Sequence, residues 1–137
     1  MINKRIVNKG SILLVDDEPL VLEIIDAALR DEGFEVCCAA NAESALHELE
    51  KGYFDGIVCD VRLENLDGFD LVILSRRKNP NIAAILITGA PSEDDAERAE
   101  TLSVAYLPKP LSLSSLLVTI NSAVQALRYE PDEQIAV

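Results

Sequence analysis

The chain has 137 residues, 49% of them hydrophobic, with 24 acidic against 12 basic side chains and a formal net charge of -12. That length fits one domain, and that apolar content excludes a disordered chain. The acidic balance argues against nucleic acid and anionic membrane surfaces as direct partners, since both require a basic face.

The first ten residues are basic, but no apolar core follows them, so they do not read as a signal peptide. No apolar run is long enough to span a bilayer. Cys37, Cys38 and Cys59 form no CxxC pair and read as reduced, buried, small apolar residues. Together these features predict a soluble cytoplasmic protein.

Short apolar runs alternate with helical patterns along the chain. Ile12-Leu13-Leu14-Val15 reads as a buried strand, and Asp16-Asp17-Glu18-Pro19 opens a helix, with proline suited to its first turn. Val21, Ile24, Ile25 and Ala28 form its apolar stripe, and Gly33 ends it. Phe34 to Ala39 is a second strand. Asn41 caps a helix to about Leu49, with Gly52 beyond it. Gly56 to Cys59 is a third strand ending on Asp60, and a loop leads to a helix over Gly68 to Lys78. The basic cluster Arg76-Arg77-Lys78 reads as a solvated helix C-terminus that complements the dipole.

Asn79-Pro80-Asn81 is a turn. Ala84 to Ile87 is a fourth strand ending on Thr88, and Ser92 caps a short acidic helix. Val104 to Leu107 is a fifth strand. After Lys109-Pro110, Ser112 caps a last helix to about Arg128, and Tyr129 to Val137 form a tail. Continuous rather than alternating apolar strands predict burial on both faces, hence a doubly wound α/β fold with five parallel strands and five helices.

Polar residues fall at the C-terminal ends of four strands. Asp16 and Asp17 follow the first, Asp60 ends the third, Thr88 ends the fourth and Lys109 lies past the fifth. Ligands of open α/β sheets bind at that edge, where the strand order reverses. If the order is 2-1-3-4-5, the first and third strands are neighbours and the three carboxylates converge on one crevice. Clustered carboxylates repel, and a hard cation such as Mg2+ relieves them. Such a site suits phosphoryl transfer, with Asp60 as nucleophile, Lys109 on a phosphoryl oxygen and the Thr88 hydroxyl donating to another.

The segments ILLVDDEP, IVCDVRLENLDGFDL, ILITGA and YLPKP make the chain resemble a response-regulator receiver domain of two-component signalling, over about Ser11 to Arg128. The resemblance implies the flavodoxin-like 2-1-3-4-5 order. It implies an acidic pair, Asp16 and Asp17, with Asp17 the more direct metal ligand. Asp60 becomes the phosphoacceptor, and the backbone carbonyl of Arg62 a further ligand. It also implies a tight position at Gly68, with positive φ, and a cis bond between Lys109 and Pro110. Thr88 and Tyr106 correspond to a coupling pair that changes a protein-binding face. The phosphoryl donor is then a sensor histidine kinase or a histidine phosphotransfer protein, and the recipient of the signal is a downstream protein.

Glu64, Leu102 and Leu111 depart from the family's frequent Pro, Gly and Phe. Arg62 and Ala90 hold positions that tune phosphoryl lifetime in the family. His47 reads as an exposed helical residue away from the crevice. With the tail too short to fold alone, a stand-alone receiver, not an enzyme on other substrates, is the expectation.

Two other functions compete. Aspartyl-nucleophile phosphatases of the haloacid-dehalogenase type need a second Asp two residues after the nucleophile, where this chain has Arg62. A receiver-shaped module that is never phosphorylated is the other, and the intact acidic set counts against it.

Overall fold

The computed structural model describes residues 8–128, with side chains through residue 126. The basic start and the tail from Tyr129 lie outside the described residues. Ten elements alternate: β1 (Ser11–Val15), α1 (Pro19–Asp31), β2 (Glu35–Ala39), α2 (Ala42–Lys51), β3 (Gly56–Asp60), α3 (Gly68–Lys78), β4 (Ala83–Thr88), α4 (Glu93–Thr101), β5 (Ala105–Pro108) and α5 (Leu113–Arg128). The strands form one parallel sheet in the order β2-β1-β3-β4-β5. Alternate strand residues feed two cores. Ile12, Leu14, Val58, Ile85 and Ile87 meet Ile25 and Leu29 of α1 and Leu116, Ile120 and Val124 of α5. Leu13, Val15, Ile57, Cys59 and Leu86 meet Leu49 of α2, Phe69 and Val72 of α3 and Ala99 of α4.

Burial on both faces holds for β1, β3 and β4 but not for the edges. β2 is buried only at Val36 and Ala39, and β5 is largely half-buried. This corrects the expectation for the cysteines: Cys59 is buried, Cys37 is partly covered and Cys38 is exposed. Neighbouring residues of a strand point to opposite faces, so an adjacent pair on an edge strand cannot share one environment. Burial, with Glu48 beside it, raises the Cys37 thiol to about 11, which keeps it protonated and unreactive at neutral pH.

Helix starts follow their caps. The side chains of Asn41, Asp67, Ser92 and Ser112 accept hydrogen bonds from the backbone N–H of Ser44, Asp70, Asp95 and Ser115. Gly33, at φ +107°, turns the chain out of α1. α1 begins differently: Glu18 is its N-cap and Pro19 its first residue, yet the Glu18 side chain makes no capping bond.

α4 is the least greasy helix, with Ala99 its only buried residue. It is tied down by charge. Arg98 lies 4.5 Å over the Phe69 ring and reaches Asp67 at 3.2 Å and Asp70 at 3.6 Å. Arg62 reaches Asp95 at 3.4 Å. After α4, Ser103 takes a left-handed conformation at φ +55°, next to the Leu102 position where the family often has Gly. The Arg76 guanidinium donates to the Leu102 and Ser103 carbonyls. Arg76 is therefore a clamp on this turn, not part of a merely solvated basic cluster.

Gly68 is tight for a reason other than the expected positive φ. Among the described glycines, only Gly10 and Gly33 have positive φ. A Cβ on Gly68 would sit 2.5 Å from the Asp60 carbonyl oxygen and 2.8 Å from Leu86. The chain passes so close because Gly68 N–H donates to the Val61 carbonyl at 2.8 Å. Gly68→Ala should therefore cost about 2–4 kcal/mol in chemical denaturation. A loss under about 0.5 kcal/mol would mean the loop yields freely.

Candidate phosphoacceptor site

The sheet order makes β1 and β3 neighbours, with Val15 opposite Cys59. The residues one step further, Asp16 and Asp60, therefore emerge side by side at the C-terminal edge. Both are buried, at 1% and 6% exposure, and Thr88 at the end of β4 is fully buried. The Lys109–Pro110 bond past β5 is cis. Lys109 N–H donates to the Thr88 carbonyl at 2.7 Å.

The Lys109 ammonium is the hub of the crevice. It donates to Glu18 Oε1 at 2.9 Å and to Asp60 Oδ2 at 3.0 Å, and lies 3.3 Å from Asp16 Oδ2. The second Asp60 oxygen accepts from Arg62 N–H at 3.0 Å. Asp16 Oδ1 accepts from Glu18 N–H at 2.9 Å. Asp16 Oδ2 is buried without a hydrogen bond.

Burial raises the Asp16 pKa, and the Glu18 N–H and Lys109 only partly offset it. For Lys109, burial pulls downward, but the bonds to Glu18 and Asp60 and the charges of Asp16 and Asp60 outweigh it, so its pKa is raised. The lysine stays charged and screens the acids around it.

Carboxylate oxygens of Asp16, Asp17, Glu18 and Asp60 lie within 4.8 Å of one another. These are hard oxygen donors with one ammonium among them. With an orphaned buried oxygen at Asp16, the set fits a hard divalent cation. Glu18 is absent from the sequence-based site. Its signal was available as the third acid of Asp16-Asp17-Glu18, but an acid just before a proline also reads as a helix start. For Arg62, its backbone N–H touches Asp60 and its guanidinium turns to Asp95.

The Thr88 hydroxyl accepts from Ala90 N–H at 3.0 Å, and no acceptor for its proton lies among the described residues. Tyr106 pairs with Leu86 across β4 and β5 and is half-buried against the α2–α4 core. Its hydroxyl accepts from Ser92 N–H at 3.2 Å, on the cap of α4. Thr88 and Tyr106 thus bracket the β4–α4 loop from its two ends. His47 is exposed on α2. Among the described residues, no helix is long and apolar enough to cross a membrane.

Comparison with known proteins agrees with this geometry. The profile of the response regulator receiver domain matches residues 12–121. The transcriptional regulatory protein ZraR of Klebsiella oxytoca is 33% identical over 118 residues, 85% of this chain and 27% of that protein. GlrR of Escherichia coli is 29% identical over 124 residues, 90% of this chain and 28% of that protein. The chain thus spans about a quarter of these two curated relatives. A CheY-like receiver domain from Methanospirillum hungatei superposes with a TM-score of 0.80 at 28% identity, covering 86% of this chain and 95% of that one. A receiver domain from Clostridium thermocellum gives 0.80 at 28% identity, covering 87% and 97%. With the profile spanning most of the sequence, and the same fold and strand order, this chain belongs to the response regulator receiver domain family.

Proposed function

We propose that the protein accepts a phosphoryl group on Asp60, with Mg2+ bound beside it, and signals by changing a protein-binding face. One observation carries this reading: the Asp60 carboxylate is held between the Lys109 ammonium and the Arg62 N–H, within the acid cluster at the joint of β1 and β3. The donor is phosphohistidine on a sensor kinase or a phosphotransfer protein, or a small phosphodonor. An Asp60 oxygen attacks phosphorus, an O–P bond forms, the N–P bond to the imidazole breaks, and the imidazole takes a proton from water. Asp16, Asp17 and Asp60, with the Arg62 carbonyl, would hold the ion. It supplies charge neutralisation between these carboxylates and the phosphoryl oxygens.

Lys109 holds one phosphoryl oxygen as a point charge. The uncommitted proton of Thr88 supports donation to another, which would release Ala90 and pull on the β4–α4 loop. Tyr106 sits at the far end of that loop, on the α4 cap, so movement of Thr88 has a route to α4 and β5. A turnover phosphatase is disfavoured because Arg62 stands where a general acid would be needed. The setting is the cytoplasm, and the partners are proteins. Acetyl phosphate with Mg2+ should add one phosphoryl mass to the wild type. Asp60→Asn should show none, and a chelator should prevent the gain. A gain that persists in Asp60→Asn would move the acceptor elsewhere, and sustained phosphate release over many turnovers would favour the phosphatase.

The buried Asp16 gives a pH-dependent test. Its raised pKa means the folded state binds the proton more tightly than the unfolded chain. The ionised form therefore weakens the fold above the raised pKa, and that penalty disappears below the ordinary carboxylate value. In metal-free buffer at neutral pH, Asp16→Asn should melt higher than wild type by about 4 °C. The difference should shrink on acidification, while Mg2+ affinity falls by about tenfold or more. Equal melting temperatures at neutral pH would show that Lys109 fully compensates Asp16.

A further inference from the structure

The Lys109 ammonium donates hydrogen bonds to Glu18 and Asp60 and lies 3.3 Å from Asp16 Oδ2 without a hydrogen bond to it. A phosphoryl oxygen arriving on Asp60 competes with these carboxylates for the Lys109 ammonium. Asp16 and Asp60 are buried with side chains 2% and 8% exposed, whereas the Glu18 side chain is 60% exposed. Water can take over from Lys109 most readily at Glu18, so that contact is the least costly to break.

A second observation concerns the place of Glu18 in α1. It occupies the N-cap, where a side chain ordinarily bonds the first turn, yet it makes no such bond. Its carboxylate instead crosses to Lys109, ninety-one positions along the chain. Its backbone N–H is meanwhile fastened to Asp16 Oδ1, which sets the direction of the side chain.

Resting on the phosphoacceptor reading, we propose that Glu18 is a positioning residue that tethers Lys109 in the unphosphorylated protein and is exchanged for the incoming phosphoryl oxygen. The tether keeps the ammonium at the mouth of the crevice and makes the phosphoryl group compete with a carboxylate for it. An arriving phosphoryl group adds negative charge beside Glu18, which favours departure of the Glu18 side chain into solvent. Glu18 thereby sets how readily Asp60 is modified and how firmly Lys109 retains the product.

The variants Glu18→Gln and Glu18→Asp separate reach from charge. Gln keeps the length and loses the charge. Asp keeps the charge, but it is one methylene shorter and well suited to cap α1 itself, so it releases Lys109. With phosphoramidate and saturating Mg2+, both variants should gain phosphoryl mass about threefold faster than wild type. Neither should change the rate in a Lys109→Met background. A Glu18→Asp protein that behaves as wild type, or an equal Glu18→Gln effect without Lys109, overturns the tether. The 15N shift of the Lys109 ammonium in the unmodified protein reads the contact without phosphorylation. Both Glu18 variants should move it, and an unmoved shift also overturns the tether. Failure of the phosphoacceptor reading is seen separately, as no mass gain in any variant.

Discussion

The contact of the Lys109 ammonium with three carboxylates is the constraint on which the rest of the site depends. It joins the end of β1, the start of α1, the end of β3 and the turn past β5 in one electrostatic knot. Two of the three acids are buried, where an unpaired negative charge is costly. The lysine reduces that cost but does not remove it, as the raised Asp16 pKa and its orphaned oxygen record. A site left with residual negative charge and hard oxygen donors is suited to a small divalent ion and, with it, to phosphate chemistry.

The fold serves this knot by holding backbone, not by gripping side chains. The parallel register brings Asp16 and Asp60 out on the same edge, one step beyond paired residues of β1 and β3. Gly68 lets the returning chain lie against the Asp60 carbonyl, where no side chain fits. The Thr88 carbonyl receives Lys109 N–H, which places the base of the lysine stem at the end of β4. The three central strands, β1, β3 and β4, are so heavily buried that the C-terminal edge they carry has little freedom to relax.

The opposite side of the crevice is softer. α4 buries one alanine and leans on ion pairs and on Arg98 over Phe69. Exposed ion pairs are individually weak, so a helix held in this way moves at small cost. Two links run from the site to that helix. Arg62 touches Asp60 through its N–H and Asp95 through its guanidinium, and the β4–α4 loop runs from Thr88 to the Ser92 cap under the Tyr106 hydroxyl. A rigid site beside a loosely tied helix is the arrangement a switch requires.

Much of this protein can be read from the sequence alone, because its signals are local. Apolar runs of strand length, caps at Asn41, Ser92 and Ser112, and the stop at Gly33 act within a few residues of themselves, so element order and most boundaries follow from them. The strand-end positions of Asp16, Asp60, Thr88 and Lys109 follow from the same pattern, and motif resemblance extends them to the strand order. What the sequence could not show depends on distant neighbours. Cys38 is exposed because β2 is an edge. Gly68 is confined by the Asp60 carbonyl and not by its own φ. Arg76 clamps a turn twenty-six residues away. Glu18 looks like part of a helix start until folding brings Lys109 to it across ninety-one positions. Side-chain partners at such separations are chosen by the packed sheet, and only the tertiary structure could decide them.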